Sequence, residues 1–164
     1  LKSLDIIENK IIKRENALPH LIRWRFKNKK VVFTNGCFDI LHQGHLDYLS
    51  KAADLGDKLI VAVNSDASVK VLDKGPERPL QGEMSRALLI ASLHFVDMVI
   101  LFEENTPYEL IAYLKPDVLV KGSDYKIEEI AGSDIVIENG GEVKTLPFLD
   151  GFSTSKIVEK IKQG

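Results

Sequence analysis

Five nearly continuous apolar runs punctuate this chain, with helical patterns between them, and that alternation limits the fold more than any other feature. The runs are "VVFTN" (31–35), "KLIVAVN" (58–64), "VDMVILF" (96–102), "PDVLVKG" (116–122) and "GEVKTLPF" (141–148). Helical periodicity falls at about 43–55, 83–93, 106–114, 127–138 and 153–163. A strand half-exposed to water alternates apolar and polar residues, whereas these runs are apolar throughout, as strands covered on both faces are. Strand and helix in strict alternation predict an α/β fold, a doubly wound parallel sheet with right-handed crossovers. Such a sheet binds its ligand beyond the carboxyl ends of the strands, near the point where strand order reverses.

Length and composition agree with one soluble domain. The chain has 164 residues, 45% hydrophobic and 28% charged, with a net charge of −2. Its apolar runs are too short to cross a bilayer, and no basic segment followed by an apolar one opens the chain, so the expected location is the cytoplasm. The lone Cys37 excludes an internal disulfide and multi-cysteine zinc sites. No internal repeat or low-complexity segment is present. The charge is uneven: residues 1–30 carry nine Lys/Arg against three Asp/Glu. A basic arm can bind nucleic acid, but Leu4, Ile7, Ile11 and Ile12 recur at helical spacing. The expectation is therefore an amphipathic helix, ended by "ALPH" (17–20), with no nucleic-acid role. That divides the chain into a helical extension (1–29) and the main domain (30–164).

The first apolar run leads into "GCFDILHQGH" (36–45), which spends two of the four histidines on one helical turn. Zinc would need a third ligand, and no HExxH is present. Neither a GxxxxGK[ST] nor a GxGxxG pattern occurs. What remains is a short loop carrying Thr34, Asn35 and Gly36, then a helix beginning near His42. A helix N-terminus attracts anions through its free N–H groups and its dipole. Gly36 permits a tight turn, and Gly44 permits close approach to the first helical turn. For either histidine alone, an ordinary satisfied surface or core role competes with anion binding.

"FTNGCFDILHQGH" resembles the signature of the HxGH nucleotidyltransferase superfamily, the cytidylyltransferase-like group. "VAVNSDASVKVLDKGPERPL" (61–80), "LKPDVLVKGSDY" (114–125) and "GFSTSKIVEKI" (151–161) extend the resemblance over about residues 30–162. Within that group they look like the adenylyltransferases that activate D-glycero-D-manno-heptose 1-phosphate. In many bacteria that activity is the carboxyl-terminal half of a bifunctional protein with a sugar kinase. Without a kinase half, the chain is expected to match the stand-alone form.

The resemblance implies a Rossmann-like fold and a definite chemistry. A sugar 1-phosphate attacks ATP, giving a nucleotide-sugar and pyrophosphate. The attacking oxygen is already anionic, so no general base is required. The enzyme must hold two anions in line and spread the charge that builds on the α-phosphoryl group. By resemblance His42 and His45 serve the triphosphate, His45 nearest the α-phosphorus, and Lys74 supplies a cation to the sugar phosphate or leaving group. Thr34, Asn35, Gly36 and Phe38 are expected around the nucleotide phosphates. Lys121, Gly122 and Asp124 lie by the nucleotide, and Ser153, Thr154 and Ser155 open the last helix as N-cap and phosphate site. Asn64, Asp66 and Arg78 are candidates for the sugar phosphate. Asp39 is expected to tie down its loop through backbone N–H groups. Arg86 opens a helix, from which it either reaches the site or pairs with Glu83. Cys37 reads as a buried small hydrophobe. Magnesium is implied, bound mainly by phosphates and water rather than by a carboxylate cage, and the family habit implies a homodimer. A cytidylyltransferase acting on glycerol 3-phosphate or another polyol phosphate, and a nucleotide-binding protein without catalysis, remain the alternatives.

Overall fold

The structure is a computed structural model that describes residues 2–72 and 77–163. Its centre is a five-stranded, all-parallel sheet in the order β3-β2-β1-β4-β5. In chain order the elements are α1 (Ser3–Glu8), α2 (Leu18–Phe26), β1 (Val31–Gly36), α3 (Gln43–Ala53), β2 (Lys58–Asn64), α4 (Asp66–Val71) and α5 (Glu83–Ser92). They continue with β3 (Met98–Phe102), α6 (Tyr108–Leu114), β4 (Val118–Gly122), α7 (Ser133–Glu138), β5 (Glu142–Leu146) and α8 (Thr154–Gln163). The chain builds outward from β1 to β3, then crosses back to lay β4 on the other side of β1. The reversal of strand order therefore falls between β1 and β4, where the Rossmann-like fold places its ligand crevice.

Successive residues of each strand point to opposite faces, and both faces are covered. Val31, Phe33, Ile60, Ala62, Met98 and Ile100 pack with Leu21 of α2 and with Leu110, Ile111 and Leu114 of α6. Val32, Leu59, Val61, Val63 and Val99 face the other way, onto Tyr48, Leu49 and Ala52 of α3 and Ala87, Ile90 and Ala91 of α5. This double burial is why the strands read as unbroken apolar runs.

The amino-terminal region departs from expectation. The helix ends at Glu8, before Ile11 and Ile12. Ile11 instead forms a parallel bridge to Val99; Ile12 N–H donates to Val99 O at 2.9 Å, and Val99 N–H donates to Lys10 O at 2.8 Å. The segment thus covers the open edge of β3, where unpaired backbone groups would otherwise face water or another chain. "ALPH" starts a helix rather than ending one: α2 runs from Leu18 with Pro19 in its first turn, where a missing N–H costs nothing. Ala17 and Leu21 are fully buried in the main core.

Two smaller departures lie elsewhere. The 127–138 pattern divides into a 3-10 turn (Ile127–Glu129) and α7, separated by Gly132 at φ +84°. Helix α4 was not expected; its cue was Ser65, whose Oγ accepts the Ser68 N–H at 3.1 Å as an N-cap.

Candidate active site

The carboxyl ends of β1 and β4 open into a cavity of about 510 Å³. Its floor is Asn35, Gly36, Cys37 and Phe38, where β1 leaves the sheet. His45 and Tyr48 of α3, Lys121, Gly122, Asp124 and Tyr125 after β4, Phe148, and Thr154 and Ser155 of α8 make one side. Asp39, Val69 and Arg78 make the other.

His42 is the extended N-cap residue of α3, and its carbonyl accepts the N–H groups of His45 (3.0 Å) and Leu46 (3.2 Å). The following N–H groups, of Gln43 and Gly44, have no acceptor within the helix and are left for an anion. The two imidazoles stack, with centroids 3.8 Å apart and planes 20° from parallel. His45 also meets the edge of Phe38 at 5.4 Å. Burial lowers the pKa of His42, because a charged ring is poorly solvated there, and its Nδ1 has no hydrogen-bond partner among the described residues. Gly44 makes room for this arrangement rather than for a ligand: a Cβ there would stand 3.0 Å from the His42 ring and 3.1 Å from Phe152 Cβ. The segment leading into α8 therefore lies against the first turn of α3. Ser153 caps α8, its Oγ accepting the Lys156 N–H at 3.1 Å, so Thr154 and Ser155 bring a second helix N-terminus to the cavity that holds His45.

The loops around this centre are braced by charged groups. Asp39 is buried and accepts from Leu80 N–H (2.8 Å), Gln81 N–H (2.9 Å) and Arg78 Nη1 (2.8 Å). Burial by itself would raise the Asp39 pKa. The hydrogen bonds from Leu80, Arg78 and Gln81 outweigh it and hold the carboxyl below the ordinary range. Arg86 is fully buried; it donates to Cys37 O at 2.7 Å, Gln81 O at 2.9 Å and Asp66 Oδ1 at 2.8 Å. Glu83 meets the Asp66 N–H instead (2.8 Å). Arg86 thus neither enters the cavity nor pairs with Glu83; it fastens the β1–α3 loop to the segments around α4 and α5.

Several expected site residues are committed elsewhere. The Thr34 hydroxyl donates to Val120 O (3.0 Å) and lies 2.9 Å from the Tyr48 hydroxyl, so it has no donor left for a phosphate. Burial pushes the Tyr48 phenol up to about 12, against the opposing effect of its hydrogen bond with Thr34. Asn64 is buried, donates to Ser68 Oγ at 2.7 Å, and its Oδ1 lies 3.8 Å from the Cys37 thiol. With Asp66 held by Arg86, neither Asn64 nor Asp66 reaches the cavity wall. Arg78 does, but part of its charge is spent on Asp39, their side chains being 11% and 4% exposed. Cys37 is buried. Lys121 is drawn over the Tyr125 ring, 5.5 Å from its centroid. Lys74 lies outside the described residues.

Sequence reasoning missed the aromatic side of the cavity. Tyr48 and Phe148 rings lie 5.6 Å apart, and Gly122 lets Phe148 approach: a Cβ there would stand 2.3 Å from its ring. The spacing of His45 and Tyr48, three residues apart on one helix, was the available signal. Among the described residues, no group of three His, Cys, Asp or Glu side chains converges to hold a metal ion, and no helix is long and apolar enough to cross a membrane.

Known proteins are similar to this chain. The family model described as cytidylyltransferase-like matches residues 33–160. The bifunctional protein HldE of Campylobacter jejuni subsp. jejuni serotype O:2 is 56% identical over 155 residues, covering 94% of this chain and 32% of that protein. The bifunctional protein HldE of Nitratiruptor sp. is 58% identical over 136 residues, covering 83% and 28%. The chain spans about a third of the length of these curated relatives. A crystal structure of a lipopolysaccharide core biosynthesis protein from Thermoplasma volcanium superposes with a TM-score of 0.61 at 34% identity, covering 74% of this chain and 97% of that one. The matched segment holds the histidine pair, both helix N-termini and all five strands but the first two residues of β1, and on that footing the chain belongs to the cytidylyltransferase-like family of nucleotidyltransferases.

Proposed function

We propose that the chain transfers AMP from ATP to a sugar 1-phosphate, D-glycero-D-manno-heptose 1-phosphate, giving ADP-heptose and pyrophosphate. The observation that carries this reading is the convergence of two helix N-termini on one cavity at the strand-order reversal, with His45 in its wall and His42 stacked on His45. A sugar-phosphate oxygen attacks the α-phosphorus. The bond from that phosphorus to the oxygen bridging to the β-phosphate breaks, and pyrophosphate leaves with the electron pair. The nucleophile is already ionised, so no proton need be removed from it. His45 donates to the α-phosphoryl oxygens as charge builds on them, and His42 backs it from the helix cap. The N–H groups at the starts of α3 and α8, with Thr154 and Ser155, hold the triphosphate.

Tyr48, Tyr125 and Phe148 offer faces to a planar base, beside Lys121, Gly122 and Asp124. Lys74 is assigned to the sugar phosphate or leaving group on resemblance alone. Magnesium, when bound, neutralises phosphate oxygens; the cavity carboxylate not tied into the Asp39 cluster is Asp124, which fits an ion held mainly by phosphates and water. A homodimer is part of this reading, supported by the exposure of Leu4, Ile6, Ile22 and Phe26 on α1 and α2, and sedimentation tests it.

The deciding experiment measures pyrophosphate release with ATP, CTP and GTP, each offered heptose 1-phosphate and glycerol 3-phosphate. The reading requires ATP with heptose 1-phosphate to be preferred. Preference for CTP with glycerol 3-phosphate would make the chain a polyol-phosphate cytidylyltransferase, and binding without release would make it a nucleotide-binding protein.

A further inference from the structure

The sheet opens into the cavity at a definite place. The β1–β4 ladder covers Val32↔Val118 and Phe33↔Leu119, although β1 runs on to Gly36 and β4 to Gly122. On its other side β1 stays paired with β2 as far as Gly36↔Val63. β1 and β4 therefore part after Phe33 and Leu119. The residues past this fork, Asn35 and Gly36 on one strand and Lys121 and Gly122 on the other, line the cavity. Thr34 and Val120 are the first two residues beyond the ladder. The Thr34 hydroxyl donates to Val120 O at 3.0 Å, so a side chain bridges the strands where the backbone ladder stops.

A hydroxyl has one hydrogen to give. Thr34 gives its own to Val120 O, so its 2.9 Å contact with Tyr48 has one sense: the Tyr48 O–H donates to Thr34 Oγ1. Thr34 and Tyr48 are both buried, and burial keeps the phenol protonated by pushing it up to about 12. The chain from Tyr48 through Thr34 to Val120 O thus ties α3 to both strands of the fork. Tyr48 is the first buried side chain of α3 counted from the helix N-terminus. It stands one turn after His45 on the same face of the helix. The neighbouring polar side chains Ser50 and Lys51 bond within the helix, to Asp47. We infer that Tyr48 is a positioning residue for the transfer: through Thr34 and Val120 O its hydroxyl fixes α3 to the β1–β4 fork and so holds His45 where the α-phosphoryl group reacts. This inference rests on the proposed role of His45.

Tyr48→Phe removes only the hydroxyl and keeps the ring, with its 5.6 Å contact to Phe148. Turnover is read as pyrophosphate release at saturating ATP and heptose 1-phosphate, at a temperature where every variant is folded by circular dichroism. Misplacing a reacting group by about 1 Å costs about a hundredfold, so the loss of one tie should lower kcat by roughly fivefold to fiftyfold. KM for both substrates, and calorimetric binding of a non-hydrolysable ATP analogue, should stay within about twofold. Thr34→Val should lower kcat as Tyr48→Phe does, and Thr34→Ser, which keeps the hydroxyl, should stay near wild type. The double variant Tyr48→Phe/Thr34→Val should be no slower than the slower single variant, because both break one chain. The deciding comparison is made in His45→Ala. If Tyr48 acts through His45, adding Tyr48→Phe there should change turnover by less than about twofold. A larger further loss in that background, an unchanged kcat in Tyr48→Phe, or an equal loss of kcat and of analogue binding would overturn the assignment. If wild type releases no pyrophosphate, or His45→Ala turns over like wild type, the functional reading fails and the inference with it. If His45→Ala is impaired while Tyr48→Phe is not, only the inference fails.

Discussion

Replacing Arg86 by Met should separate the architecture of the site from its chemistry. The guanidinium is fully buried and holds three groups: Cys37 O (2.7 Å), Gln81 O (2.9 Å) and Asp66 Oδ1 (2.8 Å). Met keeps most of the apolar stem, so the cavity left behind is small. Each bond from a charged donor to a carbonyl contributes about 1.5–3 kcal/mol. The Asp66 side chain is 39% exposed, so water screens that ion pair and its loss costs about 0–1 kcal/mol. The sum is about 3–7 kcal/mol, and at about 2–4 °C per kcal/mol for a chain of this size the Tm should fall by roughly 6–28 °C. Thermal unfolding followed by circular dichroism measures it. Turnover at a temperature where the variant is folded should also fall, because the Cys37 carbonyl lies between Gly36 and Phe38 in the cavity floor. Arg86→Lys should recover only part of the stability, since one ammonium cannot reach three acceptors in the guanidinium's fork geometry. A Tm within 3 °C of wild type for Arg86→Met would refute the reasoning, since the two bonds to Cys37 O and Gln81 O cannot together be worth so little.

Three further outcomes are expected. His45→Ala should cut turnover by ~10²–10³, the scale for one transition-state donor, with less change in sugar-phosphate binding; near wild-type turnover in the folded variant would remove His45 from the chemistry. The Asp39 carboxyl has a folded pKa below its unfolded value, so its contribution to stability is complete above about pH 4 and is lost as pH falls further through the folded value; Asp39→Asn should flatten that acid limb of a Tm-against-pH curve, and an unchanged limb would contradict the assignment. Deleting residues 1–16 should strip the hydrogen bonds from the β3 edge at Val99 and the packing of Ile7, Ile11 and Ile12, costing roughly 3–6 kcal/mol and promoting association through the bared edge, whereas salt-sensitive duplex binding lost on deletion with unchanged Tm and mass would show a nucleic-acid arm.

What could be read from the sequence, and what could not, follows from how far each signal reaches along the chain. The strands are legible because burial on both faces leaves a run of apolar letters that local inspection finds, and β2 begins and ends where the run does, at Lys58 and Asn64. The histidine turn is legible because its cue is equally local: a single three-residue spacing at the start of α3 brings the two rings together. The role of Asp39 is legible because a carboxylate just after a strand has backbone donors to meet. Thr34, Asn64 and Asp66 were not legible. Each is a polar residue in or just past the carboxyl half of a strand, in a motif-bearing segment, and nothing local says whether it faces a ligand or a neighbour. Their partners lie far along the chain: Thr34 meets Val120, Asp66 meets Arg86, and Asn64 meets Cys37 as well as the nearby Ser68. The amino-terminal arm failed in a related way. Ile11 and Ile12 fit a helical pattern, yet they serve a strand edge that appears only once β3 has formed, nearly ninety residues later. The same comparison explains why Asn35 stands out. It shares its position near a strand end with Thr34 and Asn64, both of which the fold satisfies internally, while its own amide oxygen is buried and has no hydrogen-bond partner among the described residues. Three polar residues that look alike in the sequence are thus sorted by a single physical criterion, whether the described residues complete their hydrogen bonds, and Asn35, whose amide oxygen they leave unmatched, is also the one of the three that lines the cavity.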